Sequence, residues 1–226
     1  MKTLAALLAA TLLCPAALAA PPDTVMLEEL TSSEVAARVA AAPTAVLVPV
    51  GGTEQHGDRI VLGKHNVRAR ILAQDIARDM GDALVAPVLS YVPEGAIDPP
   101  TGHMRGTGTI SIPVDAFEEA LEGAARSLLK HGFTNVILLG DHGGYQSSLH
   151  RVAERTNRVL KRRAVIVPRE YYREVEHAGT ADTELTLAID PRLVRHPRGA
   201  GAEAGRAARK AIVDDTVRAV RQAMGR

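Results

Sequence analysis

Residues 46–66 read VLVPVGGTEQHGDRIVLGKHN. A short apolar run, Val46 to Val50, breaks at Gly51-Gly52, and Glu54, His56 and His65 follow. One carboxylate and two imidazoles just past a buried strand can begin a metal site, because each offers a lone pair and zinc and manganese accept mixed N/O ligand sets. If the backbone stays extended through Glu54-Gln55-His56, residues i and i+2 project to the same side. Both can then meet one ion while Gln55 points away. A lone Glu-x-His is also an ordinary solvated loop. The chemical reading gains from repetition, since an apolar run, a glycine and a histidine recur at Asn135 to Leu139 and Gly140-Asp141-His142-Gly143-Gly144. Glycines around His142 let the backbone approach a ligand closely, although the same letters make a plain strand-to-helix turn. His177 and Asp182 flank Ala178-Gly179-Thr180-Ala181, which reads equally as a capped helix start. His103 lies in a Gly- and Pro-rich stretch, either as an exposed loop residue or in contact with substrate.

The elements that must position these residues alternate. Thr31-Ser32-Ser33-Glu34 resembles a capping box opening a helix through Ala41. Thr44 to Val50 reads as a strand, with Pro49 ending its pairing. Asn66 to Met80 has apolar residues at helical spacing, with Gly81 as the stop. Ala83 to Val88 reads as a strand cut short by Pro87 or placed at an edge. Leu89 to Gly108 is a long loop, and loops of that size in compact domains are more often functional than idle. Thr109 to Ile112 reads as a short strand. Pro113 to Lys130 reads as a helix, Asn135 to Leu139 as a buried strand, Tyr145 to Leu160 as a helix and Ala164 to Val167 as a strand. Thr183 to Ile189 and Ala202 to Met224 read as helices, the latter long and basic. This order implies one α/β domain with helices on both faces of a mostly parallel sheet. In such sheets ligands bind beyond the carboxyl ends of the strands, where Glu54, His56 and His142 fall.

The chain has 226 residues, a length for one substantial domain. It carries no Trp, two Phe and four Tyr, which disfavours aromatic cages and base-stacking platforms. A formal net charge of +1 without a long basic run argues against nucleic acid as partner. Lys2, the apolar run Leu4 to Leu13 and Ala17-Leu18-Ala19 have the layout of a cleaved secretory signal over residues 1–19. The domain then spans residues 20–226, and the expected location is the bacterial periplasm or outside. The only cysteine, Cys14, sits in that leader, where Leu13 before it disfavours a lipid anchor. No later stretch is long and apolar enough for a membrane span.

Pro49-Val50-Gly51-Gly52-Thr53-Glu54-Gln55-His56-Gly57, Leu62-Gly63, Gly108-Thr109-Ile110-Ser111 and Gly140-Asp141-His142-Gly143-Gly144 come in order. His177-Ala178-Gly179, Asp182-Thr183 and Leu187-Ala188-Ile189-Asp190-Pro191 follow. Together they resemble the creatininase family of metal-dependent amidohydrolases, over most of the chain. The resemblance implies a three-layer α/β/α sandwich, oligomers that are often hexamers, and one or two divalent ions per chain, zinc or manganese, or iron. It places metal ligands on Glu54, His56 and His142, the last carboxylate ligand on Asp182 and a proton-shuttling histidine on His177.

The departures are specific. Leu62-Gly63-Lys64-His65 stands where the family reads Leu-Gly-Thr-Asp, and that Asp bridges two ions. An imidazole has one free lone pair and cannot bridge as a carboxylate does. His65 as a ligand therefore implies one ion or a differently linked pair. Asp182 is shorter than the usual Glu, a carboxylate near Thr180 is missing, and Asp141 replaces the usual Asn in a position to orient His142. Without tryptophan, creatinine is not the expected substrate. The expected activity is metal-assisted hydrolysis of a C–N bond in a small amide, cyclic amide or formamide. The rival reading is an inactive periplasmic metal- or ligand-binding protein of the same fold. A third makes the basic segment from Ala202 onward a partner- or membrane-surface element.

Overall fold

The computed structural model describes residues 23–226. The leader assigned to residues 1–19 lies outside the described residues. β1 (Ala45–Val50), β2 (Ala83–Val85), β3 (Asn135–Gly140) and β4 (Val165–Ile166) form a four-stranded parallel sheet in the order β2-β1-β3-β4. Parallel neighbours need crossover connections. Helices supply them: α2 (Lys64–Met80) links β1 to β2, α3 (Val114–Lys130) precedes β3, and α4 (Gln146–Leu160) links β3 to β4. α1 (Ser32–Ala41) precedes β1, while α5 (Thr180–Ile189) and α6 (Ala202–Ala223) follow β4. The capping box forms, with Glu34 N–H donating to Thr31 Oγ1 and Thr31 N–H to Glu34 Oε2.

Strand periodicity divides the core in two. Ala45 and Leu47 of β1 point to a cluster with Leu72 and Ile76 of α2 and Ile212 and Val220 of α6. Val46, Val48 and Val50 point the other way, to Phe117 and Leu121 of α3 and Leu149 and Val152 of α4. The result is the expected α/β/α sandwich, with a sheet buried on both faces. The basic segment packs as an ordinary amphipathic helix, burying Ile212, Thr216, Val217 and Val220. Among the described residues no helix is long and apolar enough to cross a membrane.

Three local expectations change. β1 pairs through Pro49 to Val50, opposite Leu139 and Gly140. The Pro49 carbonyl accepts from Leu89 N–H on the β2 side, where β2 has already ended, so the missing proline N–H interrupts no ladder there. Thr109 to Ile112 is not a strand, and only an isolated bridge joins Ile110 to Thr53. α2 begins at Lys64 and α5 at Thr180, each earlier than hydrophobic spacing indicates, because both first turns bury polar side chains.

α5 and α6 cross closely at Gly205, where an added Cβ would collide with the Glu184 carbonyl. Gly205→Ala is expected to destabilise the fold by about 1–3 kcal/mol, the usual range for overpacking. The check is the urea midpoint at unchanged slope. An unshifted midpoint would mean that the two helices part freely.

Candidate metal centre

β1 and β3 are neighbours, so their carboxyl ends deliver Glu54, His56 and His142 to one edge of the sheet. The exit of β1 is pinned from two sides. Asn66 Oδ1 accepts from Gly52 N–H at 2.9 Å, and an added Cβ on Gly51 would strike Asn66. The Tyr145 hydroxyl lies 2.8 and 2.7 Å from the Val50 and Gly51 carbonyls. The first turns of α2 then present Lys64, His65 and Arg68 to the same edge, all buried. Residues three and four apart share a helix face.

At the centre is Glu54, with no exposed surface. Five of the chain's eight histidines face its carboxylate. His65 Nε2, His56 Nε2 and His142 Nε2 lie 3.0, 3.5 and 3.7 Å from Oε2. His103 Nδ1 and His177 Nδ1 lie 2.6 and 3.2 Å from Oε1. His177 stacks on His56, with ring centroids 4.7 Å apart, and its Nε2 donates to the Gln55 carbonyl at 2.9 Å. His131, His150 and His196 belong to neither this cluster nor its ring contacts.

The expected fifth ligand, Asp182, is held elsewhere. Its Oδ2 accepts from Lys64 Nζ at 2.5 Å and from Ala178 N–H at 3.1 Å, and its Oδ1 from Arg68 Nη1 at 2.7 Å. Both Asp182 oxygens are thus engaged by donors of the chain itself. Asp141 orients His65 rather than His142: its Oδ2 is 2.7 Å from His65 Nδ1, and Arg68 Nε donates to both its oxygens at 3.0 and 2.9 Å. Lys64 and Arg68 therefore balance Asp141 and Asp182 in charge. No lysine or arginine remains beside Glu54 among the ion pairs of the described residues.

The electrostatics fit a bound cation. Burial opposes the Glu54 charge, yet the contacts from His56 and His65 and the His142 ring hold its carboxyl far below the usual range. Burial pushes the His56 and His142 imidazoles down to about 4, leaving each neutral with a lone pair to offer. A neutral ring has a single N–H. His65 faces Asp141 with one nitrogen and Glu54 with the other, so a proton on the Asp141 side leaves a lone pair toward Glu54. His56 Nδ1 and Nε2, Glu54 Oε1 and both Glu94 oxygens are buried without a hydrogen bond. Buried polar atoms in that state call for an unseen partner. Glu54, His56 and His65 bring ligand atoms within 4.8 Å of one another, and so do Glu54, Glu94, His103 and His142.

Lys64, Arg68 and Glu94 are absent from the residues read out of the sequence. Lys64 and Arg68 sit four apart on the helix that carries His65, a spacing visible in the sequence. Glu94 has no local signal, since it stands alone in the long loop. Burial first, then the Glu54 charge, raises its carboxyl to about 8. A cleft of about 180 Å³ opens beside the cluster between His103, His142, His177 and Tyr172.

Comparison with known proteins gives one consistent family. The model of the family described as Creatininase, creatinine amidohydrolase, matches residues 28–225. A mycofactocin precursor peptide peptidase of Mycolicibacterium smegmatis is 33% identical over 65% of this chain and 58% of its own length. Creatinine amidohydrolase of Pseudomonas putida is 27% identical over 75% of this chain and 74% of its own length. A solved structure described as "Creatininase Mn" has a TM-score of 0.76 at 23% identity, over 88% of this chain and 98% of the other. The chain thus spans less than two thirds of the peptidase it matches.

Arg68→Met would leave Asp141 and Asp182 with a single cation between them. Removing one partner from a buried ion pair destabilises by about 3–5 kcal/mol, and that loss is expected in urea unfolding. A change within about 0.5 kcal/mol, as at an ordinary surface site, would contradict the closed network.

Proposed function

The chain belongs to the creatininase family, and from that premise we propose that it is a metal-dependent amidohydrolase. Its substrate is a small amide, cyclic amide or formamide whose C–N bond is cleaved. The observation that carries this reading is the convergence of five imidazoles on Glu54 beside an open cleft, with Lys64 and Arg68 committed to other carboxylates. Glu54, His56 and His65 would hold a divalent ion, with His142 adjacent, and this donor set suits zinc, manganese or iron. When bound, such an ion polarises a carbonyl and makes a water acidic enough to attack near neutral pH.

The chain's own residues supply orientation and proton movement. The Asp141 carboxylate fixes the His65 ring, as a carboxylate behind a ligating imidazole commonly does. His177 is fixed by the Gln55 carbonyl and by its stack on His56, with its side chain 35% exposed toward solvent. Burial lowers its pKa, so at neutral pH it is the unprotonated ring that can accept a proton. It takes that proton in the cleft and returns it to the leaving nitrogen, the two halves of general acid–base catalysis. The cleft of about 180 Å³ suits a small molecule or the end of a peptide. With no tryptophan in the chain to cover it, creatinine is not the substrate proposed.

Chelation of the full chain is expected to abolish turnover across a panel of small amides, and zinc or manganese to restore it. His177→Ala is expected to lower kcat by about 10²–10⁴-fold, the usual share of general acid–base catalysis. An unchanged kcat would remove His177 from the mechanism. Tight binding of a panel member by the metal-loaded protein without turnover would instead favour the binding-protein reading.

A further inference from the structure

We propose that the loop between β2 and α3 carries a second cation site, formed by Glu94 and His103 with His142, and that Glu54 is the carboxylate shared between the two ions. This rests on the metal-dependent reading above and assigns residues that reading leaves unused.

The Glu94 carboxyl group is buried without a hydrogen bond among the described residues. The residue is 3% exposed. His142 Nδ1 lies 3.6 Å from Glu94 Oε2. A buried carboxyl left in this way costs free energy that packing does not return. The backbone makes room for it: Gly52 has φ +148°, and an added Cβ there would lie 2.8 Å from Glu94 Oε1. A side chain at position 52 would evict the carboxylate.

The loop is built to bring Glu94 and His103 together. His103 N–H donates to the Glu94 carbonyl at 3.0 Å. Within that closure, Thr101 N–H donates to the Ala96 carbonyl at 3.0 Å, and Ala96 N–H donates to Thr101 Oγ1 at 2.8 Å. The outer side is tied by Ser111, whose Oγ accepts from Glu94 N–H at 2.9 Å and donates to the Gly95 carbonyl at 2.7 Å. Gly95 and Gly102 hold positive φ, of +132° and +54°, at the two ends of the ring. Both side chains emerge on the Glu54 side, with His103 Nδ1 2.6 Å from Glu54 Oε1. Glu54, Glu94, His103 and His142 then offer two carboxylates and two imidazoles, all within 4.8 Å. That is a donor set for zinc or manganese.

The two sets share Glu54, whose Oε2 faces His56 and His65 and whose Oε1 faces His103. A carboxylate can link two ions through its two oxygens, which the imidazole of His65 cannot do. His103, in a loop position suited to touching substrate, becomes a ligand instead.

The test strips the full chain with a chelator, reconstitutes it with zinc and counts metal in wild type, Glu94→Gln, His103→Ala and His56→Ala. About two zinc ions per chain are expected in wild type and about one in each variant, because each substitution removes a ligand from one set and leaves the other intact. Equal counts in wild type and Glu94→Gln overturn the proposal, as does a single zinc in wild type. If His56→Ala still loses its ion, the metal-dependent reading stands without the second site. No zinc in wild type overturns both. A second measurement guards against misfolding: the metal-free Glu94→Gln variant is expected to melt at or above metal-free wild type, since an amide replaces an unpartnered carboxyl. If it melts well below, with an unchanged zinc count, Glu94 belongs to packing and the proposal fails.

Discussion

A carboxylate taken out of water needs a positive partner, and among the described residues no lysine or arginine pairs with the buried Glu54. The effective penalty for desolvating such an ion is still several kcal/mol after relaxation. Around Glu54 the protein sets imidazoles rather than lysine or arginine, and burial favours the neutral form of His56 and His142. Neutral imidazoles solvate a cation with their lone pairs but do not replace it. The fold around the strand ends is therefore organised for an ion that the sequence itself does not encode.

Two electrostatic systems lie side by side. Lys64, Arg68, Asp141 and Asp182 form a closed set, each charge answered by another of the chain. It ties α2 to the end of β3 and to the start of α5, three elements far apart in sequence, and so fixes the wall of the cleft. The histidine cluster is the open set. His65 belongs to both, touching Asp141 on one side and Glu54 on the other. Rigidity comes from the first system, and the capacity to bind comes from the second.

The strands, the capping box and the histidines past β1 and β3 were legible because each is a local pattern. Apolar runs end in glycine, and parallel neighbours bring those ends together. The Asp182 contacts were not legible, since matching it to a ligand position says nothing of Lys64 and Arg68. Those cations reach it across 118 and 114 residues of sequence. The partner of Asp141 failed in the same way: sequence proximity favoured His142, whereas the helix placed His65 in reach. Glu94 was invisible because its meaning lies in what it lacks, a hydrogen-bonding partner. The resemblance identified the family, and the geometry adds contacts within the site that the motifs do not carry.

Asp141 serves two masters. It gives both oxygens to the Arg68 guanidinium and one of them also to His65. A carboxylate already neutralised by a guanidinium lends less electron density to the imidazole in front of it. His65 is thus a weaker donor than a histidine supported by a free aspartate. Whatever it coordinates keeps more of its own positive charge and is released more readily. Arg68, which lies outside both donor sets, would in that way set how hard the site grips and how strongly it polarises what it holds.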